Sequence, residues 1–280
     1  MKRLLAFIIV MTMSIALCGC SSFFPSKETK NGGSSASGSA VENEEGDLKK
    51  VKERKKLVVG INDFEPMDYK DSSGEWVGFD ADMAKEFASS LGVDVEFVEI
   101  EWDDKIHELD SGSIDCVWNG MTLTDEVKKS MSCTDAYCNN AQIVIVPKDK
   151  ADLYKDVESV KKLNFAVETG SAGEKEAKKR GLKYTAVTNQ SNALMEVSAG
   201  TSDAAIIDSL MAAAMVGEGT SFEKLTYTVS LNSEEYAVGF RKGSNLTEKL
   251  NKLFKEYAAS GKLEKIAAKY GVQAALAIKK

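Results

Sequence analysis

The sequence predicts an α/β protein with mostly parallel sheets flanked by helices. Three observations carry this expectation. Apolar stripes at helical spacing alternate with short β-rich runs between residues 78 and 118, and a second alternation of the same kind begins after Pro147. No internal repeat of about 20 to 50 residues points to a solenoid instead.

The first helix is read from Asp80, a favourable N-cap, with Met83, Ala84, Phe87, Ala88 and Leu91 along one face and Gly92 at its end. Such a face demands a core. Val93, Val95, Phe97 and Val98 follow as a β-rich run, Trp102, Ile106 and Leu109 recur at helical spacing up to Gly112, and Ile114 to Trp118 forms a short apolar strand. Strands separated by helices pair in parallel, and ligands of open parallel sheets collect beyond the carboxyl ends of the strands. The loop in that place, Asn119 to Thr124, carries small amide and hydroxyl groups that suit a polar ligand.

After the strand Ile143 to Val146 the pattern restarts. Phe165 to Val167 reads as a strand, Glu174 to Arg180 as a helix, Ala186 opens an extended piece, and Asn192 to Ala199 makes a helix that Gly200 ends. Ala204 to Ile207 is a strand, followed by Asp208 and a helix through Val216. A return strand, Tyr236 to Phe240, leads into two helices whose stripes are Leu246, Leu250, Leu253, Phe254, Tyr257 and then Leu263, Ile266, Tyr270.

At 280 residues and 43% hydrophobic composition the chain can bury one large domain or two small lobes. A net charge of -7, with no basic patch interleaved with aromatics, argues against a nucleic-acid partner. No Cys/His cluster has metal-ligand spacing, and neither G-x-G-x-x-G nor a GK[ST] ending occurs, so no metal or other cofactor is expected. The single histidine, His107, is expected to face solvent, and the carboxylates Asp63, Glu65 and Asp68 lack ordering partners, so no catalytic residue is expected.

Four phrases stand in one order across residues 57 to 271: VVGINDFEPMDYKDSSGEWVGFDADMAKEF, SGSIDCVWNGMTLT, VETGSAGE and AGTSDAAIIDS. In this the chain resembles the polar amino-acid family of extracytoplasmic solute-binding proteins, which deliver ligands to ABC importers. The resemblance implies a two-lobed, periplasmic-binding-protein-like fold joined by a two-crossing hinge. Lobe 1 would comprise residues 48–145 plus 237–280, and lobe 2 residues 146–236. It further implies a monomer that captures a small polar solute, first of all an amino acid or amino-acid derivative, between the lobes and passes it to ABC permease subunits. A ligand-binding sensor component, or an enzyme such as a dehydratase, is the alternative on the same fold.

The same resemblance places Phe64 and Trp102 as aromatic rings flanking the ligand, although Trp102 also reads as a core residue on the face of Ile106 and Leu109. Asn119, Gly120 and Thr122 match the loop that receives an α-amino group, and Asp208 matches the acid that pairs with that group from the opposite lobe. Asp208 would serve equally as a helix N-cap. Ser171 and Ala172 lie in a turn, Thr169 to Gly173, whose unpaired N–H groups could cradle an acceptor at a helix start. One position departs from the pattern: where the family has an arginine gripping the α-carboxylate, this chain has Val127. Either Lys128 or Lys129 supplies the charge, or the ligand carries no α-carboxylate.

Lys2 and Arg3 precede the apolar stretch Leu4 to Leu17, too short for a span of roughly 20 residues and suited to a signal segment. Leu17, Cys18, Gly19 and Cys20 look like a bacterial lipobox, with ordinary signal cleavage as the alternative. Residues 1–20 would then be a lipoprotein signal peptide, Cys20 the lipidated residue, and residues 21–47 a flexible tether reaching on the order of 30 Å. The protein would be exported and held by lipid at the outer face of the cytoplasmic membrane. Cys116 is expected as a small buried hydrophobe; Cys133 and Cys138 either form a local disulfide or, the favoured expectation, remain free thiols.

Overall fold

A computed structural model of the protein describes residues 46–278. The expected signal peptide, Cys20 and the tether up to residue 45 lie outside the described residues. Gly46 and Asp47, assigned above to the tether, instead open α1 (Gly46–Arg54), where the Asp47 carboxylate accepts from Arg241 Nε at 3.2 Å.

The chain continues as β1 (Lys56–Ile61), the short hairpin β2 (Tyr69–Lys70) and β3 (Trp76–Val77), α2 (Phe79–Leu91), β4 (Asp94–Glu99), α3 (Lys105–Ser111), β5 (Cys116–Val117), α4 (Asp125–Ser130) and β6 (Ser132–Cys133). It then runs through β7 (Cys138–Asn140), β8 (Gln142–Pro147), α5 (Val157–Val160), β9 (Asn164–Glu168), α6 (Ala172–Arg180), β10 (Lys183–Val187), α7 (Gln190–Ala199), β11 (Ala204–Asp208), α8 (Ser209–Met215) and β12 (Leu225–Ser230). The return is made by β13 (Glu234–Tyr236) and β14 (Gly239–Phe240), followed by α9 (Leu246–Ser260) and α10 (Lys262–Lys269).

Two five-stranded sheets result, in the orders β4-β1-β5-β14-β6 and β10-β9-β11-β8-β12. In each, one strand runs against the others: β14 in the first and β8 in the second. These are the strands by which the chain enters the second sheet and returns to the first, which explains why they alone are reversed. Between the sheets the chain crosses twice, and the crossings pair with each other as the antiparallel ribbon β7–β13. Strand β8 joins the second sheet from Gln142, ahead of the 145/146 division expected from sequence.

Alternation along β1 assigns its faces. Leu57, Val59 and Ile61 pack with Met83 and Phe87 of α2, while Val58 turns to the other side with Leu109 and Ile114. The C-terminal helices pack back on this first lobe, as their stripes require: the Phe254 ring lies 5.8 Å from Trp118, which is 6.4 Å from Phe87. Full burial of a side chain such as Phe87 stabilises by about 1.5–3 kcal/mol.

The N-cap of α2 is Gly78, not Asp80. At Gly78 the backbone has φ 130°, and an added Cβ would run into the Met67 carbonyl oxygen, so only glycine fits. Asp80 sits in the first turn and is drawn inward, accepting from Gly120 N at 2.7 Å and from Tyr137 Oη at 2.6 Å. Cys116, Cys133 and Cys138 are free thiols.

Candidate functional site

The carboxyl ends of the parallel strands in both lobes face a narrow cavity with about 20 Å³ of water-accessible space. Eight residues singled out by the sequence line it: Phe64, Trp102, Asn119, Gly120 and Thr122 from the first lobe, and Ser171, Ala172 and Asp208 from the second.

On the first-lobe side, the loop after β5 is braced from behind. Asn119 Nδ2 donates to Asn62 O at 2.9 Å and to Asp68 Oδ2 at 2.8 Å, and Gly120 N is held by Asp80. Gly120, Met121 and Thr122 of this loop border the cavity, and the Thr122 hydroxyl donates to Glu234 Oε1 at 2.9 Å. Phe64 is set edge-on to Tyr236, with centroids 6.2 Å apart. Trp102 packs with Ile100, Leu109 and Ile114 and also borders the cavity.

Across the cavity, Asp208 ends β11 and occupies the N-cap of α8, yet its side chain makes no cap bond. It accepts from Gln142 Nε2 at 2.8 Å, from Tyr236 Oη at 2.6 Å, and from the side-chain amides of Asn140 and Gln190. Among the described residues, no lysine or arginine forms an ion pair with it. Burial first and Glu234 second push its carboxyl up to about 7.

Glu168, the last residue of β9, repeats the theme. It accepts from Asn62 Nδ2 at 2.7 Å, and burial, reinforced by Asp208, pushes it up to about 8. Gln190 Nε2 bridges the two acids, 3.5 Å from Glu168 Oε2 and bonded to Asp208. Two buried acids so placed favour a positively charged guest, because a cation would relieve the cost of ionising them.

The turn before α6 differs from expectation. Gly170 N donates to Glu174 Oε2 at 3.0 Å and Ser171 N to Glu168 O at 3.2 Å, so these two N–H groups are not open to a ligand. The Ser171 hydroxyl caps α6 by accepting from Glu174 N at 3.1 Å.

Four polar contacts close the lobes over the cavity: Asn62 to Glu168, Ser191 Oγ to Asp63 Oδ2 at 3.3 Å, Lys105 Nζ to Gly170 O at 3.3 Å, and Lys175 Nζ to Glu126 Oε2 at 2.6 Å. Gly170, at φ 71°, packs so tightly on the first lobe that an added Cβ would fall 2.7 Å from Asp103 Cα.

Val127 is buried and borders the cavity, whereas neither Lys128 nor Lys129 reaches it. The cations that do are Lys105 and Lys175. Sequence reasoning missed Asn62, Lys105, Glu168, Lys175 and Gln190. Glu168 was within reach, since it is a carboxylate ending an apolar strand, as Asp208 is. His107 lies exposed on α3 and does not line the cavity.

A profile described as bacterial extracellular solute-binding proteins, family 3, matches residues 57–273. The chain is 29% identical over 276 residues to the arginine-binding extracellular protein ArtP of Bacillus subtilis (strain 168), covering 96% of this chain and 98% of that protein. It is 33% identical over 223 residues to a probable histidine-binding protein of Neisseria gonorrhoeae, covering 76% and 81%. The arginine-bound form of truncated ArgBP from T. maritima superposes with a TM-score of 0.69 at 32% identity, over 74% of this chain and 99% of that one.

Proposed function

Because the chain belongs to the bacterial extracellular solute-binding proteins, family 3, we propose that it captures an amino acid or amino-acid derivative between its lobes and delivers it to an ABC permease. The observation that carries this reading is Asp208: a buried carboxylate at the cavity wall, held by four side-chain donors and lacking a cation of its own. An α-amino group supplies that cation. Phe64 and Trp102 flank the ligand side chain, and acceptors of the Asn119–Thr122 loop, Gly120 among them, receive the remaining N–H bonds. Ser171 and Ala172 close the far wall where α6 begins.

Relatives named for arginine and histidine agree with a site that carries a second buried acid, Glu168, beside the first. Residues 46–141 plus 237–280 and residues 142–236 act as two lobes that turn about the β7–β13 ribbon, opening to admit the solute and closing on it. Export through the signal peptide 1–20, lipidation of Cys20 and a tether that ends before α1 put this monomer at the outer face of the cytoplasmic membrane. Calorimetric titration with L-amino acids, after endogenous ligand has been removed by unfolding and refolding, tests the reading. Saturable binding of at least one of them is expected, and a flat response to all would end it.

A further inference from the structure

Val127 leaves the cavity without the charge that would hold a ligand carboxylate. Its side chain is apolar and buried, and its N–H is committed to the Thr124 cap at 3.2 Å. A zwitterion bound there with no cation for its carboxylate would be held far more weakly.

Lys105 offers one. Its side chain is 5% exposed and borders the cavity, and its ammonium donates to Trp102 O at 2.6 Å and Gly170 O at 3.3 Å while standing 4.8 Å from the Trp102 ring centroid. Carbonyls and a ring face solvate a charge without neutralising it. No carboxylate among the described residues comes within ion-pair distance, and Glu168 is bonded to Asn62 and Gln190 instead. An ammonium has three N–H donors, and two are used.

Lys175 stands close by. It borders the same cavity from the second lobe and is drawn to the Val127 side by Glu126, the residue just before it, at 2.6 Å. Burial first and the neighbouring Lys175 charge second push Lys105 down to about 8, against the opposing pull of Glu168, Glu126 and Asp103.

We propose that Lys105, flanked by Lys175, grips the carboxylate of the bound solute in place of the arginine whose position Val127 occupies. This rests on the amino-acid reading above. The grip has a mechanical corollary: the Lys105 bond to Gly170 crosses between lobes, so the carboxylate clamp is complete only when they meet.

The test is calorimetry on the full chain with L-arginine and L-histidine, each against its amide, and with agmatine. The proteins are wild type, Lys105→Gln, Lys175→Gln and the double variant Lys105→Gln/Val127→Arg. Wild type is expected to prefer the free acid over its amide by about 100-fold. Lys105→Gln should erase most of that preference, lowering the free acid's affinity far more than the amide's, and Val127→Arg should restore it. Equal affinity of wild type for acid and amide would overturn the assignment and leave the amino-acid reading standing. So would a preference that survives both lysine replacements. Tighter binding of agmatine than of arginine would likewise overturn the assignment alone, whereas no binding of any of these probes or other amino acids would remove both.

Discussion

Replacing Glu168 by Gln should make the ligand-free protein more stable than wild type, by an amount that grows with pH. Glu168 is fully buried at the end of β9, and burial, then the charge of Asp208, raises its carboxyl from 4.5 to about 8. A folded-state value above the unfolded one means the folded protein holds this proton more tightly. Its stabilising contribution is therefore complete below 4.5 and is lost as pH rises through about 8. One group titrating alone changes stability by at most about 1.4 kcal/mol per pH unit, so the loss across this window approaches about 4 kcal/mol. Glutamine keeps an acceptor for Asn62 Nδ2 but cannot ionise. Urea unfolding followed by tryptophan fluorescence, at several values between about pH 5 and pH 8, should show wild type falling away from Glu168→Gln as pH rises. Asp208 declines in both proteins, so the difference isolates Glu168 except for the coupling between the two acids. A gap of constant size across the range would refute the reasoning.

Gly170→Ala should leave both lobes folded but keep them apart, since its Cβ would fall 2.6 Å from Asp103 Cβ; small-angle scattering that shows normal compaction with saturating L-arginine would contradict this. Asp208→Ala should weaken L-arginine binding by about 100-fold in calorimetry, and an unchanged affinity would exclude Asp208 from the site. Burial raises the thiols of Cys116 and Cys138, so Ellman's reagent should leave both unmodified until the protein is unfolded, and a mass showing Cys133 joined to Cys138 would be inconsistent with the fold described.

Periodicity in the sequence reveals the alternating elements because their buried faces are long and apolar, as in α2 and the α9 stripe. It fails at α1, where only Leu48 and Val51 are apolar and the helix is fastened partly by ionic contacts of Asp47 and Arg54 to Arg241 and Asp115. It misplaces the start of α2 because Asp80, a good cap by type, is needed inside as an acceptor for Gly120 and Tyr137. At the cavity, Asp208 is legible from its place at a strand end. Lys105 is not: on a short helix between acidic residues it reads as solvated, and only the approach of Gly170 from the other lobe encloses it. For the same reason Lys128 and Lys129, nearer in sequence to the missing charge, are poorer guides than Lys175, which comes from the opposite lobe.

The donors around Asp208 come largely from the joint itself: Asn140 from β7, Gln142 where β8 begins, and Tyr236 from β13. On the proposed reading, cargo that settles its positive charge on this acid would tighten the very groups about which the halves swivel. Loading and stiffening of the pivot would then be one event, and whatever pries the halves open would have to loosen the acid's hold in the same stroke.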